Sequence, residues 1–248
     1  MGPKKRPRIG ASSSHQPSRP RSSFNECFRT NALHERLDKN FASKRVWESR
    51  KVDIGMLEGI NFFYLSILQN WGWMDFLNIS SLTYYNLFRT FFSNAKLEHD
   101  ESGDTVIAIT YFLMNTSIRL TLEEFGDYLH VSSKGNSKEK GPFNPAIFIQ
   151  FGSASKLNLH DHVLHLIITW NLRPIKKHAK LRNTNNWWLD SFHTNRHPDL
   201  ALIMFNDITK AIERGMNTNI TLPHGTYFSY LFRRLGINTH GNTLVTFN

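Results

Sequence analysis

The strongest constraint on the fold is the uneven distribution of apolar residues along the chain. Residues 1–23 are rich in Pro, Ser, Arg and Lys, contain no acidic residue, and offer only Ile9 as a bulky apolar side chain apart from Met1. Such a segment cannot offset the entropy lost on ordering, so it is predicted to be a disordered basic tail. From Phe24 onwards apolar residues return, and the chain's 19 Phe and 40% hydrophobic content predict a folded, helical body over residues 24–248.

Positive charge is concentrated at the N-terminal end. The formal net charge is +10, yet residues 1–51 hold 13 Lys and Arg against 4 Asp and Glu, whereas the remaining residues hold 17 against 16. A basic chain predicts a polyanionic partner, and this distribution assigns the prediction to the tail. Its basic motif is typical of a nuclear import signal, of a contact with nucleic acid phosphates, or of a merely solubilising segment. The cations of the motif are Lys4, Lys5, Arg6 and Arg8.

Apolar residues at helical spacing predict most of the secondary structure. The segment from Phe24 to Lys51, with Leu33, Leu37 and Phe41 on one helical face, is predicted to be a charged helix that leads into the body. Asp53 is the predicted N-cap of one helix that extends to Trp71. A second amphipathic helix is predicted after Ser81, with an apolar stripe formed by Leu82, Tyr85, Phe88 and Phe92. Five further helices are predicted at about residues 145–151, 161–172, 185–192, 198–214 and 227–235, with Pro198 in the first turn of the fourth.

A β-rich segment separates these two groups of helices. Strands are predicted at Lys96–His99, at 105–113 and, after a turn at Asn115-Thr116, at 117–120. The capping box Thr121-x-x-Glu124 then predicts the start of another helix. The predicted fold class is therefore mainly α (α+β), a multi-helix single domain with a small antiparallel β hairpin or meander insert.

A second basic run in the C-terminal half is followed by Trp187 and Trp188. Cations beside exposed aromatic rings bind single-stranded nucleic acid through its phosphates and bases. Trp is, however, mostly buried in folded proteins, so a solvated loop before a helix with inward-facing tryptophans is the favoured interpretation. The cations of this run are Arg173, Lys176, Lys177, Lys180 and Arg182.

Residue types that carry catalysis are present without the spacing that enzyme sites need. His162 and His165 have a helical metal-site spacing but no accompanying glutamate, so surface or helix-end histidines are the favoured interpretation. The single cysteine, Cys27, cannot form an internal disulfide or a zinc knuckle. Carboxylates that could form a transposase-like metal site are Asp161, Asp190, Asp199, Asp207 and Glu213, each at a helix end or on a polar face. We expect no metal, no cofactor and no enzymatic activity.

Several separate stretches also carry a family resemblance. They are Arg50-Lys51-Val52-Asp53, Trp71-Gly72-Trp73, Tyr85–Asn94, Trp170-Asn171-Leu172-Arg173-Pro174 and Leu222-Pro223-His224-Gly225. In this order they resemble the plant transposon protein domain family of plant retroelement-derived reading frames, over a core of about residues 41–237. The chain departs from the family at Asn115-Thr116, where members tend to have Arg-Gly. The resemblance implies a mobile-element origin and a gag-like region, and it implies no particular chemistry.

These observations together predict a non-enzymatic interaction or assembly module with a basic tail. Its predicted partners are a nuclear import carrier and nucleic acid, both through the tail, and a second copy of the chain. A nuclear DNA-binding or regulatory module and a degenerate transposase are the alternatives. The sequence shows no signal peptide and no apolar run of about 20 residues, so no membrane partner is expected, and the nucleus, or otherwise the cytoplasm, is the predicted location.

Overall fold

The computed structural model describes residues 24–136, 153–175, 179, 181–215 and 220–239. This part of the chain is mainly helical and contains a three-stranded antiparallel sheet in the order β1-β2-β3, as predicted. The strands are β1 (Lys96–His99), β2 (Val106–Leu113) and β3 (Thr116–Thr121). The helices are α1 (Phe24–Cys27), α2 (Asn31–Arg36), α3 (Ile54–Gly59), α4 (Leu65–Asn70), α5 (Met74–Leu77), α6 (Tyr85–Asn94), α7 (Leu122–Leu129), α8 (Leu159–Ile167), α9 (Asn183–His193), α10 (Leu200–Arg214) and α11 (Gly225–Arg234).

The helix predicted for the segment Phe24–Lys51 is confirmed only in part, because helical structure is limited to α1 and to residues 31–41, which lie against α6. A π-helical turn, Leu37–Phe41, continues α2, and both of its end residues are buried. The Phe41 ring lies 5.8 Å from the ring of Phe92 on α6. This packing attaches the N-terminal segment of the described chain to the core.

The single helix predicted from Asp53 to Trp71 is wrong, because α3 and α4 are separate. Asp53 does cap α3, accepting a hydrogen bond from the Met56 amide at 3.0 Å. The helical backbone conformation is interrupted at Asn61, whose backbone is left-handed with φ of 49°. Leu57 and Leu68 on the two helices are nevertheless both fully buried. The apolar spacing therefore predicted correctly that these residues are buried, but it wrongly predicted one continuous helix.

The stripe predicted for the next helix is also partly wrong. Leu82 precedes α6 and is 71% exposed, and Tyr85 at the first position of the helix is exposed as well. The buried face consists of Leu87, Phe88, Phe91 and Phe92. It meets α11, where Phe91 and Phe228 have ring centroids 4.9 Å apart. These rings join α6, the sheet and α11 in one cluster of buried residues.

The β segment is confirmed, with its second turn one residue earlier than predicted. Leu113 pairs with Thr116, so Met114 and Asn115 form the two-residue loop, and both have positive φ. Positive φ at both positions characterises the type I′ turn that matches strand twist. The capping box is confirmed: the Thr121 hydroxyl accepts from the Glu124 amide at 3.2 Å, and the Glu124 carboxylate accepts from the Thr121 amide at 2.9 Å.

The helices of the C-terminal half agree with the prediction within a few residues. A π-helical turn, Ile168–Leu172, continues α8, so the predicted 161–172 helix is present in two geometries. Helix α10 is capped by Asp199, whose carboxylate accepts from the Leu202 amide at 2.9 Å. Pro198 thus precedes the cap and is not in the first turn. The basic tail and the helix predicted at 145–151 lie outside the described residues.

Candidate functional site

Two of the six tryptophans differ from the others in their burial. Trp71, Trp73, Trp187 and Trp188 belong to the core, as Trp usually does. Trp47 and Trp170 are only partly buried, and their ring centroids lie 5.5 Å apart at an angle of 37°. The Trp47 indole nitrogen donates to the backbone oxygen of Trp170 at 3.1 Å. A pair of partly exposed indoles is the first sign of a recognition surface.

The backbone around Trp47 is held in place by the segment that leads into α11. Val46 and Leu222 form a parallel bridge, in which the Leu222 amide donates to the Arg45 oxygen and the Trp47 amide donates to the Leu222 oxygen, both at 2.8 Å. The Gly225 amide completes the attachment by donating to the Trp47 oxygen at 2.9 Å. A side chain at position 225 would collide with Val46, so the close approach requires glycine.

Trp170 reaches the same place from the π-helical turn after α8, and Arg50 covers its ring. The guanidinium carbon of Arg50 lies 3.8 Å from the Trp170 ring centroid, a cation–π contact. The two segments enclose a cleft of about 550 Å³, within the size range of ligand sites. We name it the Arg–Trp cleft; the residues that give it its chemistry are Arg45, Trp47, Glu48, Arg50, Trp170 and Thr221.

Cations and indoles dominate the chemistry of the Arg–Trp cleft. Arg45 and Arg50 are exposed, and Glu48, the one carboxylate among the lining residues, accepts a hydrogen bond from the Tyr85 hydroxyl. Burial and this carboxylate raise the pKa of Tyr85 to about 12, so the hydroxyl stays protonated and remains a donor. The Thr221 hydroxyl oxygen is buried and has no hydrogen-bond partner among the described residues. The cleft therefore offers positive charge and flat apolar rings to a ligand.

Arg173, three residues after Trp170, takes part in a partly buried ion pair. Its guanidinium donates to Asp207 of α10, and His224 Nε2 lies 3.4 Å from the same carboxylate oxygen. Burial opposes ionisation of Asp207, but the hydrogen bond with His224 and the charge of Arg173 outweigh it and lower the pKa of this carboxyl. This network connects the segment after α8 to α10 and to the start of α11.

The structure divides the second basic run that the sequence analysis singled out. Arg173 is engaged with Asp207, Arg182 is exposed beside the start of α9, and Lys176, Lys177 and Lys180 lie outside the described residues. The Arg182 amide donates to the Asn185 side chain at 3.1 Å. Trp187 and Trp188 are fully buried, so they cannot stack with bases beside this run. The favoured interpretation of these two tryptophans as core residues is confirmed.

A second polar cluster joins Tyr64, Asp161 and His193. The Tyr64 hydroxyl donates to Asp161, and His193 Nε2 lies 3.0 Å from the same carboxylate oxygen. Asn158 donates to the other oxygen at 2.8 Å. Burial favours neutral Asp161, yet the hydrogen bonds from His193 and Tyr64 hold the pKa of this carboxyl below its ordinary value. The hydrogen bond to Asp161 raises the pKa of His193. The cluster is an ion pair that ties α8 to α9.

The other histidines and carboxylates considered for metal binding are dispersed. His165 is fully buried, against the expectation of a surface histidine, because it lies on the inward face of α8. Asp190 pairs with Arg196 at 2.7 Å, and Asp199 caps α10. Within the described ranges, no three or more His, Cys, Asp or Glu residues are grouped so that they could hold a metal ion. The four tail cations lie outside these ranges.

Three of the five stretches that carry the sequence resemblance lie at the Arg–Trp cleft or next to it. Arg50 belongs to the first, Trp170 and Arg173 to the fourth, and Leu222 and His224 to the last. No protein-family model, curated protein or solved structure matches the chain. The resemblance to the plant transposon protein domain family thus stays a prediction. Among the helices in the described ranges, none has the length and apolar character needed to cross a bilayer.

Proposed function

We propose that this chain is a non-enzymatic binding module that holds single-stranded nucleic acid in the Arg–Trp cleft, with the basic tail adding electrostatic affinity. Proteins that bind single strands combine a positively charged groove with aromatic rings on which bases stack. The observation that supports this proposal most is that the partly exposed rings of Trp47 and Trp170 lie next to each other and that Arg50 lies over the Trp170 ring.

The geometry suits an unstacked base better than a duplex. Bases of single strands stack on aromatic rings and on guanidinium planes, and both surfaces are present at Trp47 and Arg50. A backbone phosphate would then pair with Arg45 or with the outer edge of Arg50. Charge assistance makes such hydrogen bonds stronger than neutral ones. The four cations Lys4, Lys5, Arg6 and Arg8 would add contacts by counterion release.

We further propose that the body of the chain folds as a single unit and that it has a mobile-element origin, which is the origin that the family resemblance predicts. In its support, buried side chains from α1 to α11 belong to one apolar cluster. The carboxylates considered for a transposase site favour the non-enzymatic function, because Asp161, Asp190 and Asp207 are engaged in separate ion pairs. Mg²⁺-dependent cleavage of DNA by the purified chain, abolished by Asp→Asn changes, would reinstate the degenerate transposase.

The deciding experiment is fluorescence anisotropy of labelled oligothymidylate with the full-length chain, repeated over a range of salt concentrations. We expect Trp170→Ala to weaken binding about 5- to 150-fold, because it removes the ring that supports the Arg50 guanidinium and adjoins Trp47, and stacking contributes about 1–3 kcal/mol per base. Trp170→Phe, which keeps a ring, is expected to lose less. The matched control is Trp188→Phe, a conservative change in the core, which is expected to leave affinity unaltered.

Two other outcomes would reject this role for the cleft. If neutralising Lys4, Lys5, Arg6 and Arg8 to Gln abolished binding while Trp170→Ala changed nothing, the tail alone would carry the affinity. If duplex DNA bound more tightly than single strands and did not respond to Trp170→Ala, the nuclear DNA-binding alternative would take precedence.

Self-association is a second candidate function with an observation of its own. Phe63 and Leu159 are 69% and 61% exposed, and His160, next to Leu159, stacks on the Phe63 ring at 3.6 Å. Apolar side chains exposed side by side favour an interface between copies of the chain. Sedimentation velocity over a range of concentrations tests this, with Leu159→Asp expected to shift any dimer to monomer. A wild-type chain that stays monomeric throughout would reject it.

A further inference from the structure

The outer face of the three-stranded sheet forms a second cleft, of about 560 Å³. Strand side chains alternate between faces, and Ile109, Tyr111 and Leu120 point into the core. The pairing register places Lys96 opposite Thr110, and Thr110 opposite Arg119, in one row across the outer face. We name this surface the sheet cleft; its polar and charged residues are Arg29, Lys96, Thr110, Ser117 and Arg119.

Positive charge predominates in the sheet cleft. Arg119 makes a bidentate ion pair with Glu98, with hydrogen bonds of 2.8 and 2.9 Å. This pair compensates the charge of Arg119. Lys96 is exposed at the end of the same row. Arg29 lies over the Phe112 ring, 4.7 Å from its centroid, and donates to the Ser117 hydroxyl. The surface thus combines three cations and one carboxylate with hydroxyl donors and an aromatic ring, a set that suits phosphate and sugar contacts.

Helix α6 connects the sheet cleft to the Arg–Trp cleft. Its first residue, Tyr85, donates to Glu48 of the Arg–Trp cleft, and its last residue, Asn94, lines the sheet cleft. Ten residues at 1.5 Å per residue make this helix about 15 Å long. The chain from Arg29 to Arg50 runs between the two clefts and packs on α6. Residues 29–51 hold seven Lys and Arg against three Asp and Glu.

We propose that the sheet cleft is a second contact site for the same single strand, binding its phosphates while a base stacks in the Arg–Trp cleft. This inference rests on the proposed function. Lys39 is exposed in the segment that runs between the clefts and adds a cation to the surface that the connecting stretch of the strand would follow. Because two linked contacts raise affinity through effective concentration, only a strand long enough to span both clefts gains from the second one.

The test compares two oligothymidylates, of about 2 and about 20 nucleotides, with the full-length chain by fluorescence anisotropy, because a strand of about 2 nucleotides is too short to span the length of α6. The variant is Lys96→Gln with Arg119→Gln, and its matched control is Lys156→Gln with Lys210→Gln, two exposed lysines that line neither cleft. We expect the sheet variant to weaken the long strand about 10- to 100-fold, to reduce its salt slope by about 1, since Glu98 already compensates Arg119, and to leave the short strand unchanged. The control is expected to change neither strand.

Failure of this inference is distinguishable from failure of the proposed function. If the sheet variant bound the long strand as tightly as the wild type, the sheet cleft would not be a contact site, whatever Trp170→Ala does. Equal weakening of both strand lengths by the sheet variant would also overturn the inference. If Trp170→Ala left the affinity for both lengths unchanged, the proposed function itself would fail. Lys96→Gln alone, at an exposed strand end, provides a version of the test with minimal effect on folding.

Discussion

The guanidinium of Arg50 covers the indole of Trp170 at 3.8 Å, joining the segment before α3 to the turn after α8. A guanidinium on an indole keeps its hydrogen-bonding edge available while its carbon is held by the ring. Trp47 completes this arrangement by donating to the Trp170 backbone. The relationship places a planar cation next to two partly exposed indoles in the Arg–Trp cleft.

Arg50 is expected to affect both the affinity for single strands and its salt dependence. Arg50→Ala removes one phosphate partner, so the slope of log affinity against log salt should fall by about 1. Arg50→Lys keeps the charge but loses the planar stack, so it should preserve the slope and lose affinity. Anisotropy titrations at several salt concentrations measure both quantities. Identical slopes for wild type and Arg50→Ala would contradict a phosphate contact at this residue.

Asp207 is expected to be a major contributor to stability. Asp207→Ala leaves the Arg173 guanidinium without its carboxylate next to the fully buried His224, which should cost about 3 kcal/mol of unfolding free energy. Urea unfolding monitored by tryptophan fluorescence measures this change. Replacing both partners, as Arg173→Met with Asp207→Leu, should recover part of the loss, because no uncompensated charge remains. A double variant as unstable as the sum of the two single variants would argue against coupling between them.

Position 225 is expected to tolerate no side chain, so that even the methyl group of alanine destabilises the protein. A Cβ at this position would collide with Val46 and lie 2.9 Å from the Trp47 oxygen. Gly225→Ala should therefore destabilise the protein by about 1–3 kcal/mol, the usual cost of overpacking, and weaken single-strand binding by displacing Trp47. The matched control is Gly59→Ala on α3, where a Cβ meets nothing within 4 Å. Thermal unfolding compares the two, and equal stability of both variants would refute the close approach.

The pair of Asp161 and His193 is expected to make stability depend on pH. The pKa of His193 is raised above 6.5, so its contribution is complete below pH 6.5 and is lost as pH rises through the folded-state value. The pKa of Asp161 is lowered below 3.8, so its contribution is present above that pH and lost on acidification. The pair therefore stabilises most in the window between these two ordinary values.

His193→Gln should consequently cost more stability at about pH 5.5 than at about pH 9. The difference is expected to be about 1 kcal/mol or less, because His193 is partly exposed and solvent screens the pair. Urea unfolding at the two pH values measures it. In an Asp161→Asn background the pH-dependent part of the His193→Gln effect should disappear. A pH-independent cost in the wild-type background would rule out the charged pair.

Predictions that rest on neighbouring residues agree with the structure. Asp53 caps α3, and Thr121 and Glu124 form the capping box, because a cap needs only residues three positions apart. The strand pairing was also predictable, since the sheet connects its strands in chain order. The continuous helix over α3 and α4 was wrong because the same apolar spacing is compatible with a left-handed residue at Asn61.

The Arg–Trp cleft was not predictable from spacing. Arg50, Trp170 and Leu222 lie in three separate segments, and nothing local indicates that they meet. Trp187 and Trp188, which follow a basic run, were expected to be core residues and are fully buried, but no local feature distinguished Trp47 and Trp170 from them. The one signal that could have located the cleft is that the stretches chosen for the family resemblance contain these three residues.

The sequence alone determined the helical content, the small sheet, the caps and the segregation of charge, because each depends on residues a few positions apart. Which tryptophans stay at the surface was decided only by the tertiary structure. Burial of a ring depends on which distant segments cover it. The core surrounds Trp187, whereas Arg50 lies over the Trp170 ring, and both arrangements follow from long-range packing. That packing brings cations and aromatic rings from separate segments together in the Arg–Trp cleft.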